Sequence, residues 1–255
     1  MLGRVLDLGR LELSLERERR LSSSESAFYE EMLRRRCARE PLQYILNDAP
    51  FCGLTLVADR RALIPRPETE QLATMAWEAA GSIAVVRPWV LDLGTGTGAI
   101  ALSVAHHCDG ARVLGIDRSG QALELARENR SRLGLDSRVR FLESDGFSHL
   151  ASERRFDLMV SNPPYIPRTE VSTLAPEIRD WEPTMALDGG HDGLDFYRMI
   201  ASRGRSRLRY GGRFFAEFGD GQADSLVHLF SGSGWRDIRV ERDLSGSERF
   251  LIATA

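Results

Sequence analysis

Apolar and polar residues follow two different patterns along this chain, and the change between them falls near residue 89. Beyond it, short apolar runs alternate with longer segments in which apolar residues return every three or four positions. The short runs are typical of buried strands, and the longer segments are typical of helices with one covered face. Strands are predicted at 89–94, 111–117, 138–144, 156–160 and 212–219, and helices at 98–107, 119–134, 193–208 and 221–232.

The repeated strand–helix unit predicts an α/β fold of the Rossmann-like kind, in which helices cover both faces of a mostly parallel sheet. Two further strands, near 235–243 and 249–255, have no helix between them. We therefore expect them to pair as an antiparallel hairpin at the sheet, with an antiparallel last strand. Because the carboxyl ends of parallel strands meet at one edge, polar residues that follow these strands are candidates for one shared site.

The chain before residue 89 is patterned less regularly. Residues 1–18 and 24–36 have helical spacing, and Ser24 is a candidate cap for the second helix. The runs 41–46 and 51–57 are short and β-prone and flank an Asn-Asp-Ala-Pro turn, which predicts a hairpin. The division that follows is a small N-terminal helical region at 1–40, a β-hairpin linker at 41–66, and an α/β domain at 67–255 that opens with a helix at about 68–80.

Composition and charge exclude several classes of function. The formal net charge of the 255 residues is −3, so the overall balance does not favour nucleic acid, and all 34 basic residues are arginine, which excludes a catalytic lysine. No apolar run could cross a bilayer and the charged start lacks a signal-peptide core, which predicts a cytoplasmic protein without membrane contact. Cys37, Cys52 and Cys108 are scattered, and no metal-ligand spacing is present, so no metal site is predicted.

A glycine-rich loop follows the first predicted strand of the α/β domain. Glycine lets the backbone turn tightly and approach a ligand closely, because no Cβ is in the way. The loop lies where open α/β sheets bind their ligands. Its candidate binding residues are Asp92, Gly94, Thr95, Gly96, Thr97 and Gly98.

Acidic residues also end the next two predicted strands. Asp117 is placed to accept hydrogen bonds from ribose hydroxyls, and Asp145 can accept one from an adenine amino group. Gly146 and Phe147 follow, and the phenyl ring is a candidate cover for the adenine. Glycines and acidic residues at the ends of three consecutive strands favour a ligand-binding site over a set of turns without a ligand.

Two cofactors compete for this loop. The spacing Gly94-x-Gly96-x-x-Ala99 also satisfies the pattern of a nicotinamide dinucleotide site. Asp92, upstream of the first glycine, would repel a pyrophosphate but suits a ligand that carries an amino group and a sulfonium. The loop therefore favours S-adenosylmethionine, with S-adenosylhomocysteine as product, and a nicotinamide-dependent oxidoreductase remains an alternative.

The fourth strand brings a proline-rich run, Asn162-Pro163-Pro164-Tyr165, to the same edge. The prolines fix φ, remove two N–H donors and leave a stiff loop that offers acceptors. A carboxamide nitrogen is a poor nucleophile because its lone pair is delocalised. The Asn162 side-chain oxygen and the Pro163 carbonyl can bind its hydrogens more strongly as it gains positive charge, and Tyr165 can pack on the planar group. The run predicts transfer to a planar amide or amine nitrogen, although alone it also fits a strand-terminating turn.

Longer runs around these motifs are more selective than the motifs themselves. DLGTGTGAIAL at 92–102, GIDRS at 115–119 and SNPPYI at 161–166 occur with EPLQYIL at 40–46, LIPRPETE at 63–70, EPTMALDGGHDGLDFYR at 182–198 and DLSGSERF at 243–250. Together they resemble the HemK/PrmC glutamine methyltransferases over about residues 40–255. The 63–70 stretch resembles the release-factor enzymes rather than their ribosomal-protein relatives.

The resemblance implies a class I S-adenosylmethionine methyltransferase that modifies the glutamine in the Gly-Gly-Gln loop of bacterial-type peptide chain release factors, giving N5-methylglutamine. It implies that residues 94–98, Asp117, residues 145–147 and Asn162 hold the cofactor. Asn162 through Tyr165 would hold the glutamine. Arg66, on the prolyl stretch, is expected to contact substrate at the entrance to the site.

Two features depart from the family pattern. Gly146 stands where relatives often carry a larger side chain, so Phe147 is expected to supply the packing against the adenine. The helical region at 1–40, which is expected to help dock a release factor, looks shortened by one or two opening helices. Three alternatives remain: methylation of a ribosomal-protein glutamine, methylation of an adenine in nucleic acid, and a non-catalytic binding module. The expected partner is a release factor, bound by a monomer that makes no direct contact with nucleic acid.

Overall fold

The computed structural model describes all 255 residues. Its N-terminal region consists of helices. They are α1 (Leu2–Leu6), α2 (Arg10–Leu15), α3 (Ser23–Cys37) and α4 (Leu42–Leu46). The predicted helix at 24–36 is confirmed, but its cap is Ser22 rather than Ser24: the Ser22 hydroxyl accepts from the Glu25 N–H at 3.2 Å, and Glu25 accepts from the Ser22 N–H. The continuous helix predicted at 1–18 is wrong, because the chain adopts a left-handed conformation at Asp7 and divides it in two.

The hairpin predicted from the runs 41–46 and 51–57 is displaced along the chain. The first run forms α4, with Tyr44 and Ile45 buried, and the strands are β1 (Ala49–Phe51) and β2 (Leu54–Leu56). An apolar run this short fits one helical turn as well as a strand, so its pattern could not decide. Cys52 and Gly53 form the hairpin turn with φ of 49° and 77°, the positive values that a tight two-residue hairpin requires. The three-part division of the chain stays a prediction.

The α/β domain is built on a seven-stranded sheet in the order β5-β4-β3-β6-β7-β9-β8. All neighbours are parallel except β7–β9 and β8–β9, which confirms the mostly parallel sheet and the antiparallel closing hairpin. The strands are β3 (Trp89–Leu93), β4 (Arg112–Asp117), β5 (Val139–Glu143), β6 (Phe156–Ser161), β7 (Leu208–Glu217), β8 (Arg236–Arg242) and β9 (Glu248–Thr254).

Two apolar cores lie on opposite faces of this sheet, because successive residues of a strand point to opposite sides. On β6, Leu158 and Val160 belong to one core, while Met159 belongs to the other. The helices that cover the sheet or follow its strands are α5 (Pro67–Gly81), α6 (Ala99–His107), α7 (Gly120–Arg132), α8 (Arg168–Val171), α9 (Pro176–Arg179), α10 (Asp195–Arg203) and α11 (Ala223–Gly232). No helix is both long and apolar enough to cross a membrane.

The strand order reverses beside β3, and this places the site. The chain runs outward from β3 to β4 and β5, then returns to β6 on the other side of β3. A crevice forms at the carboxyl ends of strands where the order reverses in this way. The long connection between β6 and α10 crosses that edge and is tied to itself, because the Ile166 N–H bonds the Leu187 carbonyl at 3.0 Å and the Gly189 N–H bonds the Ile166 carbonyl at 2.9 Å.

Candidate active site

A cavity opens at the carboxyl edge of the sheet. Residues 61–63 and the segment 183–188 close its other sides. The residues predicted from sequence that line it are Gly94, Gly96, Asp117, Asp145, Gly146, Asn162 and Pro164. The ends of β3, β4, β5 and β6 therefore contribute to one shared space, as the parallel sheet predicts.

The glycine loop after β3 borders this cavity through its first two glycines. Gly94, Gly96 and Gly98 all have positive φ, at 76°, 54° and 83°. A Cβ built on Gly94 or Gly96 would meet nothing within 4 Å, whereas one on Gly98 would lie 3.1 Å from both Leu102 and Phe141. The first two glycines thus leave bare backbone facing open space, and the third allows α6 to pack closely on the sheet.

Asp92 supports the loop from below and does not line the cavity. Its side chain is fully buried; Oδ2 accepts from the Thr95 hydroxyl at 2.5 Å and from the Ala101 N–H at 3.1 Å, while Oδ1 has no partner. Burial raises the pKa of Asp92 to about 7. Thr95 and Thr97 are buried with it. These three residues shape the loop, and only its glycines reach the cavity.

Asp117, the last residue of β4, faces the cavity opposite the loop. Its Oδ2 accepts from the Gly96 N–H and its Oδ1 from the Ser119 N–H, both at 2.9 Å. Burial raises the pKa of this carboxyl, against the hydrogen bonds, which lower it. The bond to Gly96 locks the loop to β4, and the remaining lone pairs of the carboxylate are available to a ligand.

The turn after β5 reaches the cavity through Asp145 and Gly146, but the ring of Phe147 does not. Phe147 is 1% exposed and packs in the core on one face of the sheet, so it supports the turn from within. The expected packing of its ring against an adenine is therefore absent from the cavity wall. The aromatic side chain that lines the cavity is Phe196 of α10. Met199, one helical turn on, lies 3.1 Å from the position that a Cβ of Gly146 would occupy.

The Asn-Pro-Pro-Tyr run divides between the cavity wall and its support. Asn162 and Pro164 line the cavity, and Pro163 is buried. The side-chain Nδ2 of Asn162 donates to the Thr69 hydroxyl at 2.9 Å. Tyr165 is partly buried against the core, and its hydroxyl donates to Glu217 Oε1 at 3.4 Å. The run thus places one carboxamide at the cavity and secures it from behind.

Arg66 lies just before α5 and does not line the cavity. Its guanidinium pairs with Glu182 Oε1 at 2.5 Å, and Glu182 Oε2 accepts from the Ile64 N–H at 3.2 Å. The Glu182 side chain is 2% exposed. The pair ties the prolyl stretch to residues 183–188, which close the cavity. Contact between Arg66 and substrate stays a prediction.

The sequence patterns did not indicate two polar residues of the site, Thr69 and Glu217. Thr69 lies within the LIPRPETE stretch, and Glu217 is the last residue of β7. Both are almost fully buried, and the Thr69 hydroxyl donates to Glu217 Oε2 at 2.7 Å. The signal for Glu217 was present, because an acid at the end of a parallel strand was the feature that singled out Asp117.

Comparison with known proteins identifies the family. A model described as PrmC N-terminal domain matches residues 1–46, and one described as Methyltransferase small domain matches residues 83–178. The release factor glutamine methyltransferase of Geobacter sulfurreducens is 41% identical over 98% of this chain and 86% of its own length. This chain belongs to the release factor glutamine methyltransferases. The protein of that name from Chlorobaculum tepidum is 40% identical over 100% of this chain and 88% of its own length.

Membership of this family confirms the resemblance inferred from the motifs and makes the chain a methyltransferase, so the nicotinamide oxidoreductase and the non-catalytic module are not supported. The fold agrees. A crystal structure of a methyltransferase from Pyrococcus furiosus, 19% identical, covers 91% of this chain and 98% of its own with a TM-score of 0.58. At that identity the likeness shows the class of fold alone.

Proposed function

We propose that this methyltransferase transfers a methyl group from S-adenosylmethionine to the side-chain amide nitrogen of the glutamine in the Gly-Gly-Gln loop of peptide chain release factors. The observation that carries the proposal is the Asn162 carboxamide. Its nitrogen is bonded to Thr69 behind the cavity wall, so its oxygen is left to accept from a group inside the cavity. Relatives named for this activity cover almost the whole chain.

The residues around the cavity fit that methyl donor. Gly94 and Gly96 leave bare backbone facing open space, which a Cβ at either position would occupy. Asp117 lines the cavity with lone pairs available to ribose hydroxyls, and Asp145 lies where it can accept from an adenine amino group. The bound donor supplies an electrophilic methyl group. Gly94, Gly96, Asp117, Asp145, Gly146 and Asn162 are the proposed binding residues, and the buried supports are Asp92, Thr95, Thr97, Gly98 and Phe147.

The chain's own part in the reaction is to position and polarise an amide nitrogen. The Asn162 side-chain oxygen and the Pro163 carbonyl accept the two N–H groups of the glutamine side chain, and Pro164 and Tyr165 hold the surrounding loop stiff. Both acceptors interact more strongly as the nitrogen forms its bond to carbon and gains positive charge, which is preferential binding of the transition state. The carbon–sulfur bond breaks in the same step, and the amide proton then leaves to water.

A labelling experiment tests this proposal. Purified release factor is incubated with the protein and S-adenosylmethionine labelled in the methyl group, beside a release factor whose loop glutamine is replaced by alanine. The proposal expects label on the first protein only. Equal labelling of both would contradict it, and label on DNA or RNA in a parallel reaction would favour adenine as the target.

We also propose that the protein acts in the cytoplasm as a monomer, with a release factor as its partner and without direct contact with nucleic acid.

A further inference from the structure

A buried carboxylate lies behind the Asn162 site. Glu217 ends β7 and is 1% exposed. Its Oε2 accepts from the Thr69 hydroxyl at 2.7 Å, and its Oε1 accepts from the Tyr165 hydroxyl at 3.4 Å. Burial raises the pKa of Tyr165, so that hydroxyl keeps its proton and remains a donor. One carboxylate therefore holds the two side chains that support the Asn-Pro-Pro-Tyr run.

The hydrogen bond from Thr69 to Glu217 determines how Thr69 can bond to Asn162. A hydroxyl has one hydrogen, and that of Thr69 is committed to Glu217. The Thr69 oxygen can therefore only accept from its other neighbour, which requires the Nδ2 end of the Asn162 carboxamide. The Oδ1 end is then the one turned toward the cavity. Without this constraint the two ends of a carboxamide are nearly equal in shape and could exchange.

The orientation of Asn162 decides whether the site can bind an amide nitrogen. With Oδ1 in the cavity, the glutamine –NH2 meets an acceptor. With Nδ2 in the cavity, two –NH2 groups would face each other and the developing positive charge would lose a partner. We propose that Thr69 and Glu217 are positioning residues that fix the acceptor end of Asn162 toward the target nitrogen, an inference that rests on the proposed function of Asn162.

The same chain of hydrogen bonds makes the orientation depend on the proton of Glu217. A protonated Glu217 can donate to Thr69, whose hydroxyl can then donate to Asn162 and reverse its carboxamide. Burial raises the pKa of Glu217 above its ordinary value, Glu68 raises it further, and the Thr69 bond, Arg249 and Tyr165 lower it. The backbone carbonyl of Glu217 accepts from the hydroxyl of Tyr197, on the element packed against it. We expect kcat to fall as the pH falls through this raised pKa.

The first test compares three variants of helix α5. Thr69→Val keeps the shape of the side chain and removes the hydroxyl, Thr69→Ser keeps the hydroxyl, and Thr74→Val removes a half-buried hydroxyl that bonds only the Glu70 carbonyl of its own helix. We expect kcat to fall by about 10- to 100-fold in Thr69→Val, which is at or below the lower end of the range for a directly lost electrostatic contact because Thr69 acts through Asn162, with KM for the methyl donor changed by less than about 3-fold. Thr69→Ser should recover most of the loss, and Thr74→Val should match the unaltered protein.

The second test uses Glu217→Gln, whose amide can accept from or donate to Thr69 and does not titrate. The inference predicts a lower kcat at neutral pH together with loss of the acid limb of the pH profile. Melting temperatures will show whether Thr69→Val folds. If it does not, Glu217→Gln still tests the inference. A kcat in Thr69→Val within about 2-fold of the unaltered protein, or a kcat at neutral pH in Glu217→Gln within about 2-fold of it, would overturn the inference.

A measurement that needs no activity separates this inference from the proposed function. In nitrogen-15 spectra, the Nδ2 hydrogens of Asn162, assigned through Asn162→Asp, should exchange slowly with water in the unaltered protein and in Thr69→Ser, and quickly in Thr69→Val. If release factor is not methylated while this difference is seen, the proposed function fails and the positioning role stands. If release factor is methylated and exchange is the same in all three proteins, the positioning role alone is overturned.

Discussion

The two ends of the cavity are built in different ways. The cofactor end consists of the glycine loop and Asp117. Each binding group lies within a few residues of a strand end, and the Asp117 carboxylate is held by hydrogen bonds from backbone N–H groups. The amide end joins Thr69, Asn162 and Glu217, which come from three elements far apart in the chain. Local motifs can reveal the first kind of site, whereas the second exists only once the sheet is assembled.

The largest expected effect breaks the amide end alone. Asn162→Ala removes the proposed acceptor, and we expect kcat to fall by about 10³-fold, the upper range for a lost transition-state contact. Affinity for S-adenosylhomocysteine, measured by calorimetry, should change by less than about 3-fold, because Asn162 is one of several proposed contacts to it. A comparable loss of both quantities would remove the distinction between the two ends.

The next effect concerns how the amide end is closed. Arg66→Ala leaves the Glu182 carboxylate buried without its partner, and we expect the free energy of unfolding to fall by about 2–3 kcal/mol. Arg168→Ala is the matched control, because its ion pair with Asp188 is exposed and should add little to stability. Denaturant unfolding of both variants checks this. If Arg66→Ala is fully stable but has a raised KM for release factor, Arg66 binds substrate instead.

The third expected effect concerns Asp92, the buried carboxyl that supports the glycine loop at the cofactor end, and the dependence of the free energy of unfolding on pH. Folding raises the pKa of Asp92 from its ordinary 3.8 to about 7, so between these values the folded state holds a proton that the unfolded state has released. The free energy of unfolding therefore falls as the pH rises through this window. Asp92→Asn removes that dependence, and from pH 5 to pH 7 it should gain roughly 2 kcal/mol on the unaltered protein, at about 1.36 kcal/mol per pKa unit. Parallel stability curves for the two proteins would contradict this.

The smallest expected effect is a selective loss at the cofactor end. Asp117→Ala removes the proposed partner of the ribose and the bond that locks Gly96. We expect affinity for S-adenosylhomocysteine to fall by about 10-fold, or about 1.4 kcal/mol, while kcat at saturating methyl donor changes less. Calorimetry and steady-state kinetics measure the two quantities. A larger loss in kcat than in affinity would mean that Asp117 also acts on the reacting groups.

The contrast between the two ends explains how much of the site could be predicted from sequence. Glycines and acids at the ends of β3 and β4 have a fixed spacing, so their convergence followed from the parallel sheet alone. Thr69 gave no such signal, because a threonine inside a helix has many uses, and only the packing of α5 against β7 brings it to Glu217. The ring of Phe147 was placed on the wrong side of its turn for the same reason: spacing places a residue at an edge but does not settle which way it points.

The same limit applied to the fold. The repeated units after residue 89 predicted the sheet, its parallel strands and its closing hairpin, because long periodic segments carry strong signals. The short runs before residue 67 did not, and α4 was predicted as a strand. Five apolar and polar residues beside a proline fit either state, and in the fold they form a helical turn that buries Tyr44 and Ile45.

The most direct test of the account is a tandem mass spectrum of the Gly-Gly-Gln peptide from unmethylated release factor after incubation with this protein and S-adenosylmethionine. The account predicts one added methyl group, located on the side-chain nitrogen of the glutamine, and formed far more slowly when Asn162→Ala replaces the unaltered protein. An unmodified glutamine with the unaltered protein, or a methyl group on any other residue of the release factor, would contradict it.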